Sequence, residues 1–324
     1  MLLFFSWVAC SIFFSTSAIS ASFLAKYTMP LEFMIFYRLL IASAILIVII
    51  FLRKERFTIN KNEIFPSILV SISQLNVWLA AYGTKYLISG LVPCVSLMQI
   101  FVAELLSSLI EKRKMRRKII ISGCLGTVGI AMLCNQQFLG VGNASIINTI
   151  IGIFFAFIAT FAAAGGNILY EKSEKTLIQM PHSTFLFYNC IFACLFLLLL
   201  GMIINPVEKL ADRSIFDIKY FAVLLFLAIT ATVVALFALY YIIEKQGAVK
   251  ATYMNFILPI ISMAISTVVE GFRWNTVAII GMIVLLYSVY IGVQEKEKQQ
   301  HEKGKIRLHE KLSLLKRTVK KIFN

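Results

Sequence analysis

The chain has 324 residues, 60% of them hydrophobic and only 15% charged, with a mean hydropathy of +0.86 and a formal charge of +15. A soluble domain of this length cannot be so apolar, which places the chain in a lipid bilayer. The positive charge does not mark a nucleic-acid binder, because the basic residues are confined to short loops and a C-terminal tail, with no folded soluble region to present them.

An apolar segment needs roughly 20 residues to cross the hydrocarbon core, and ten stretches qualify, at about 2–25, 31–52, 64–86, 88–110, 119–134, 147–170, 183–203, 218–243, 248–269 and 276–293. The first has no basic n-region and outlasts an h-region, so it reads as a retained helix. The fifth and tenth are short and ask for thin local membrane or little tilt. The cysteines (Cys10, Cys94, Cys124, Cys134, Cys190, Cys194) lie in or beside these stretches without a disulfide or zinc spacing, and read as packing residues. No metal and no cofactor is expected.

The tail, 294–324, is different. Leu308, Leu312, Leu315, Val319 and Ile322 form one helical stripe with Lys311, Lys316, Arg317, Lys320 and Lys321 around it. A basic amphipathic helix suits an anionic cytoplasmic leaflet; partner binding and a plain unfolded tail are the alternatives. Charge sets the orientation. With the N-terminus inside, the inner loops and tail hold 24 of the 31 basic residues and the outer loops six, so both termini are expected to be cytoplasmic.

The chain also repeats itself. Pro30 precedes Tyr37 by seven residues, as Pro181 precedes Tyr188; Ala81 and Gly90 match Ala238 and Gly247. Each of these glycines opens an apolar segment that closes on a Glu, Glu111 and then Glu270, followed by a segment with Gly near its start, Gly123 and Gly281. Under the charge-derived orientation Gly90 is outer and Gly247 inner, so the copies are antiparallel. The expected fold is an all-α integral membrane protein with ten transmembrane helices as two inverted five-helix repeats, 1–134 and 147–293, a layout typical of secondary transporters.

The stretches Tyr82-Gly83-Thr84-Lys85-Tyr86-Leu87-Ile88-Ser89-Gly90 through Glu111, Gly123 and Gly129, and Tyr240-Tyr241 to Gly247-Ala248 through Pro259, Glu270 and Gly281, resemble the paired EamA domains of the drug/metabolite transporter superfamily. Pro30 to Arg38 is similar to the second helix of that domain. The first copy lacks the mid-helix proline that Pro259 supplies in the second; Pro93 comes earlier. The resemblance covers residues 1–293 and implies a ten-helix carrier with a central cavity, moving a small polar metabolite such as an amino acid, a nucleoside or an S-adenosylmethionine-like cation. Phe187-Tyr188-Asn189 and Gly247-Ala248-Val249-Lys250 resemble truncated motifs of nucleotide-sugar transporters in the same superfamily, which gives the alternative substrate class.

Polar residues inside the spans are the candidate substrate contacts. Glu104 sits sixteen residues into the fourth span, about 24 Å below its outer end. A charge at such depth costs roughly 2.5–3.5 kcal/mol even on permissive scales. Either it binds a cation or carries a proton, or it reaches the interface beside Lys112, Arg113 and Lys114. Arg38 lies about 10 Å into the second span, and either snorkels to headgroups or serves as an anion site or gate. Gln74, Asn76, Trp78 and Tyr82 on the third span, Gln99 on the fourth and Asn255 on the ninth share a depth suited to orienting a small metabolite; as structural glue each would be worth only about 0.6–2 kcal/mol. Lys250 is an inner flanking charge or an anion contact, and Tyr188 and Asn189 belong to the truncated motif. Thr160, Gly165 and Gly166 read as close-approach positions. Asn143-Ala144-Ser145 is a glycosylation sequon.

No His lies inside a span, as a membrane enzyme's acid–base cluster would require, so no enzyme activity is expected. No Walker loop is present, which leaves gradients or exchange as the energy source. The expected partners are the lipid bilayer, a small-molecule substrate, and a proton or exchange substrate, with no nucleic acid; a bacterial cell inner membrane is the expected location. A channel or membrane scaffold is the alternative of another class.

Overall fold

The computed structural model describes residues 2–138, 145–177, 180–246, 254–295 and 298. Every regular element among them is helical. A chain in hydrocarbon must satisfy its backbone groups within the segment, and the helix does so residue by residue. The elements are α1 (Leu2–Leu24), α2 (Leu31–Arg53), α3 (Lys61–Ile72), α4 (Leu75–Gly83), α5 (Leu91–Ser96), α6 (Gln99–Ile110), α7 (Arg117–Leu133), the short α8 (Asn135–Phe138), α9 (Ile146–Leu177), α10 (His182–Ile204), α11 (Ile218–Leu227), a π-helical stretch (Ala228–Val234), α12 (Ala235–Gln246), α13 (Met254–Val269) and α14 (Thr276–Glu295).

Among the described residues eight stretches are long and apolar enough to cross a membrane, and the shorter apolar helix Ile257–Val269 adds to them. Helix α7, with 17 residues and two basic residues in its first turn, corresponds to the fifth expected span and falls below that length. Among the described residues two spans are interrupted and a third is widened. The third breaks into α3 and α4 at Ser73 and Gln74, where the amides of Ser73 and Gln74 bond three residues back rather than four. The fourth breaks into α5 and α6 at Leu97 and Met98 in the same way. The eighth, Ile218–Lys245, stays continuous but widens into the π stretch. None of these irregularities was anticipated from the sequence, because all three runs are apolar on both sides of the break.

The end carrying residues 25–30, between α1 and α2, is called upper and the end carrying 54–60, between α2 and α3, lower. Helix α2 packs most extensively against α10, and the two begin alike. Pro30 and Pro181 stand at their N-caps with matching φ/ψ (−57°/145° and −56°/142°), and their carbonyls accept from Met34 and Phe185. A proline there loses no helical hydrogen bond and fixes the entry angle. Other contacts also come in pairs: α4 on α9 and α12 on α1, and α3 on α10 and the π stretch on α2.

Small residues bring the backbones together. A Cβ on Gly129 would lie 2.9 Å from the Gly281 carbonyl oxygen, and one on Gly281 would lie 2.9 Å from that of Gly129, so α7 and α14 cross at this pair. A Cβ on Gly166 would collide with the Ser73 side chain, which seats α9 against the break in the third span; Gly165 meets nothing. At the lower end Arg56 holds Glu63 through both carboxylate oxygens (2.8 and 2.9 Å), and Glu63 accepts from the Asn60 amide at the start of α3. Only residues 294, 295 and 298 of the tail lie within the described part, so the amphipathic-helix reading, like the sequon at Asn143, falls outside it.

Candidate functional site

A cavity of about 220 Å³ lies where α1, α2, the two broken spans, α9 and the π stretch converge. The irregular turns supply its polar wall. The first break offers Ser73, Gln74 and Asn76, the second Ser96 and Gln99, and the π stretch Thr232. Non-helical backbone is tolerated at membrane depth where it is buried in protein or lines a cavity, and wide π turns concentrate at functional sites. Apolar and small residues complete the lining, including Phe14, Ala18, Val77, Pro93, Ala163 and Leu239.

Arg38 reaches this cavity from α2, on a stripe with Met34, Ile35 and Leu39. It is 4% exposed, and its Nε donates to Thr232 Oγ1 at 2.9 Å. Thr232 in turn lies 3.5 Å from the Leu227 carbonyl, the five-residue spacing that the π turn creates. Among the described residues no carboxylate comes within ion-pair distance of Arg38. Snorkelling to headgroups is not what the side chain does: it turns inward, because α10 and the π stretch pack over α2 at this level.

Gln74 Nε2 donates to Asn189 Oδ1 at 2.9 Å, so Asn189 holds the cavity-lining amide from behind while its own Nδ2 is buried and unpartnered. Arg38, Gln74, Asn76 and Gln99 are thus brought together in the cavity wall, with Asn189 as support. The other residues picked out by type and depth are placed elsewhere. Trp78 and Tyr82 share a face of α4 and meet edge to face, but their polar atoms go to Glu32: Trp78 Nε1 donates to Oε1 at 3.2 Å and Tyr82 Oη at 2.7 Å. Tyr188 donates to the Phe57 carbonyl at 2.9 Å and braces the lower connection. Lys250 and the side chain of Asn255 lie outside the described residues.

Glu104 departs most from its expected place. It is 1% exposed but does not line the cavity; Arg113, from the connection after α6, folds back onto it and also bonds Glu111 at 2.8 Å. The Glu104 carboxylate, and after it the Glu111 carboxylate, hold the Arg113 guanidinium above its ordinary range. Of the two sequence readings for Glu104, the geometry matches the pairing with the loop cations. A cation-binding or proton-carrying role in the cavity has no geometric support, because the carboxylate is turned toward the lower end.

Two acidic clusters close the upper end. Glu32, fully buried in the first turn of α2, accepts from Trp78 and Tyr82 on α4 and from Asn205 Nδ2 at 3.3 Å. Glu270, just after α13, accepts from Ser22 Oγ (3.1 Å), the Ser89 amide (2.9 Å) and Ser266 Oγ (2.8 Å), while Ser266 also accepts from the Gly90 amide at 2.9 Å. Each cluster ties residues before 135 to residues after 145. Sequence reasoning passed over Glu32 and Thr232. A glutamate two residues after a proline reads as an ordinary first-turn acid, and a threonine in an apolar run reads as packing; neither carries a signal of the partner it finds.

The comparisons with known proteins agree with this architecture. The EamA-like transporter family matches the chain twice, over residues 2–135 and 136–293. An uncharacterized transporter of Archaeoglobus fulgidus is 25% identical over 264 residues, covering 80% of this chain and 87% of its own. A solved crystal structure of another protein shares the fold with a TM-score of 0.63 at 13% identity, covering 91% of this chain and 97% of that one. Matched in two consecutive copies over residues 2–293, the chain belongs to the EamA-like transporter family.

Proposed function

We propose that the protein is a secondary transporter, not an enzyme, that moves a small polar metabolite by alternating access. In this reading ten helices form two inverted five-helix repeats, 1–134 and 147–293, in a bacterial inner membrane with both termini cytoplasmic. The cavity carries the reading: it sits between the repeats, and its polar groups come from interrupted helices, the arrangement by which transporters bind substrate near the midplane. The paired contacts of α4 on α9 and α12 on α1 support the repeat symmetry. The bonds of Glu32 and Glu270 across the upper end support a cavity sealed from that side while the opposite end opens. Substrate would act by binding one arrangement better than the other.

A nucleotide-sugar substrate is disfavoured. Among the described lining residues the cavity presents a single cation, Arg38, against the two phosphates of such a ligand. The test is flux in proteoliposomes made with the purified protein and a panel of small metabolites. A carrier gives saturable uptake with counterflow, whereas non-saturating flux without counterflow would assign the channel class instead.

A further inference from the structure

Arg38 is the one charged side chain among the described residues that line the cavity. Burial of a guanidinium away from water requires compensating acceptors, and Thr232 supplies one, to Nε. The terminal nitrogens meet no protein acceptor among the described residues. The buried carboxylates among the described residues are engaged elsewhere: Glu32 with Trp78, Tyr82 and Asn205, Glu63 with Arg56, Glu104 with Arg113 and Glu295 with Arg116. The free edge of the guanidinium is the planar fork that matches a carboxylate through two parallel N–H bonds. With Thr232 holding Nε, the fork is fixed in direction before any ligand arrives.

Resting on the transporter reading, we propose that the cavity selects small organic monocarboxylates whose remaining polar groups are uncharged. The ligand carboxylate docks on Arg38, and hydroxyl, keto or amide groups on the ligand meet the amides of Gln74, Asn76 and Gln99. One cation balances one negative charge, which disfavours dianions. No acidic side chain among the described lining residues offers to hold an ammonium, so zwitterionic amino acids and S-adenosylmethionine-like cations bind worse than acids of the same size. The expected order therefore reverses the substrate classes that the family resemblance implies.

The test uses the full-length wild-type protein and probes matched in shape but not in charge: lactate against lactamide and alanine, and benzoate against benzamide. Thermal shift of the purified protein and counterflow of labelled lactate in proteoliposomes are the readouts. The acids are expected to stabilise the protein and to compete for flux, with the amides and alanine at least about tenfold weaker, the usual scale for losing a charge-assisted bidentate contact. Arg38→Lys keeps the charge but loses the fork, and is expected to raise the half-saturating lactate concentration about tenfold; Thr232→Val is expected to do so more mildly. Equal response to acid and amide, stronger binding of alanine than of lactate, or no response to any acid overturns the proposal, and these wild-type comparisons hold even if a variant fails to fold. Saturable counterflow of a neutral or cationic compound without preference for acids would sink the anion assignment and leave the transporter reading standing. Binding of acids without saturable flux of any compound would do the reverse.

Discussion

Tyr82 donates a hydrogen bond from its hydroxyl to Glu32 at 2.7 Å, joining the upper halves of α4 and α2 at a carboxylate that is fully buried. Hydrogen bonds to charged groups contribute about 1.5–3 kcal/mol each, and Trp78 and Asn205 supply the others here. Tyr82→Phe is expected to destabilise the protein by about 1.5–3 kcal/mol, seen as a lower unfolding midpoint in detergent, with no change in the cavity's preference between acid and amide probes. A loss of that preference would place Tyr82 in the binding wall.

Glu270 closes the upper end by a different route, through Ser22, Ser89 and Ser266. Cys94 lies beneath this cluster, 1% exposed and bonded to the Gly90 carbonyl. Removing the carboxylate in Glu270→Ala frees the turn at Ser89 and Gly90. Labelling of Cys94 by a water-soluble maleimide, followed by mass spectrometry, is then expected to accelerate by about tenfold or more, the factor that corresponds to losing one charge-assisted bond. Unchanged labelling would show that other contacts seal this end.

The Arg113–Glu104 pair predicts a double-mutant signature. Breaking a buried pair from one side costs about 3–5 kcal/mol, and Arg113 is a quarter exposed, so the expected cost of Arg113→Ala is reduced to about 2–3 kcal/mol by solvent screening. Adding Glu104→Gln to that variant is expected to recover most of the loss, as measured by unfolding midpoints. Because the Arg113 guanidinium is held above its ordinary range, its contribution stays constant from about pH 5 to 9 and is lost at the alkaline end only as pH rises through that raised range.

Asp212 gives the opposite pH behaviour. It caps the short helix Arg213–Phe216 and accepts from the Ser214 hydroxyl and amide (2.6 and 2.9 Å) and from Thr28 Oγ1 (2.9 Å). The Ser214 bonds, first the side chain and then the amide, hold its carboxyl below the usual range, with Thr28 and Lys209 adding to the effect. A carboxylate lowered in the folded state contributes stability above its unfolded value near pH 4 and loses it as pH falls further. The difference in midpoint between wild type and Asp212→Asn is expected to be constant above about pH 5 and to shrink below about pH 4. A difference that persists into acid would assign the effect to packing.

The sequence by itself determined the membrane class, most of the spans and the doubled pattern, because each follows from local properties. Length and hydropathy locate a span wherever it packs, and Pro30 and Pro181 start α2 and α10 whatever surrounds them. It also picked out Gln74, Asn76 and Gln99 as polar residues at one depth and Arg38 as a charge about 10 Å into its span, and these four do line one cavity. Which way polar residues face was decided only by the tertiary structure. In water, the periodicity of polar residues tells inside from outside; in a bilayer, lipid and protein interior are both apolar, so an all-apolar helix does not declare its buried face. Trp78 and Tyr82 therefore looked like cavity residues until Glu32 was found beneath them, and Glu104 like a ligand until Arg113 folded back onto it. The partner of Arg38 was hidden for the same reason, since Thr232 reaches it through a π turn that no local pattern in residues 228–234 announces.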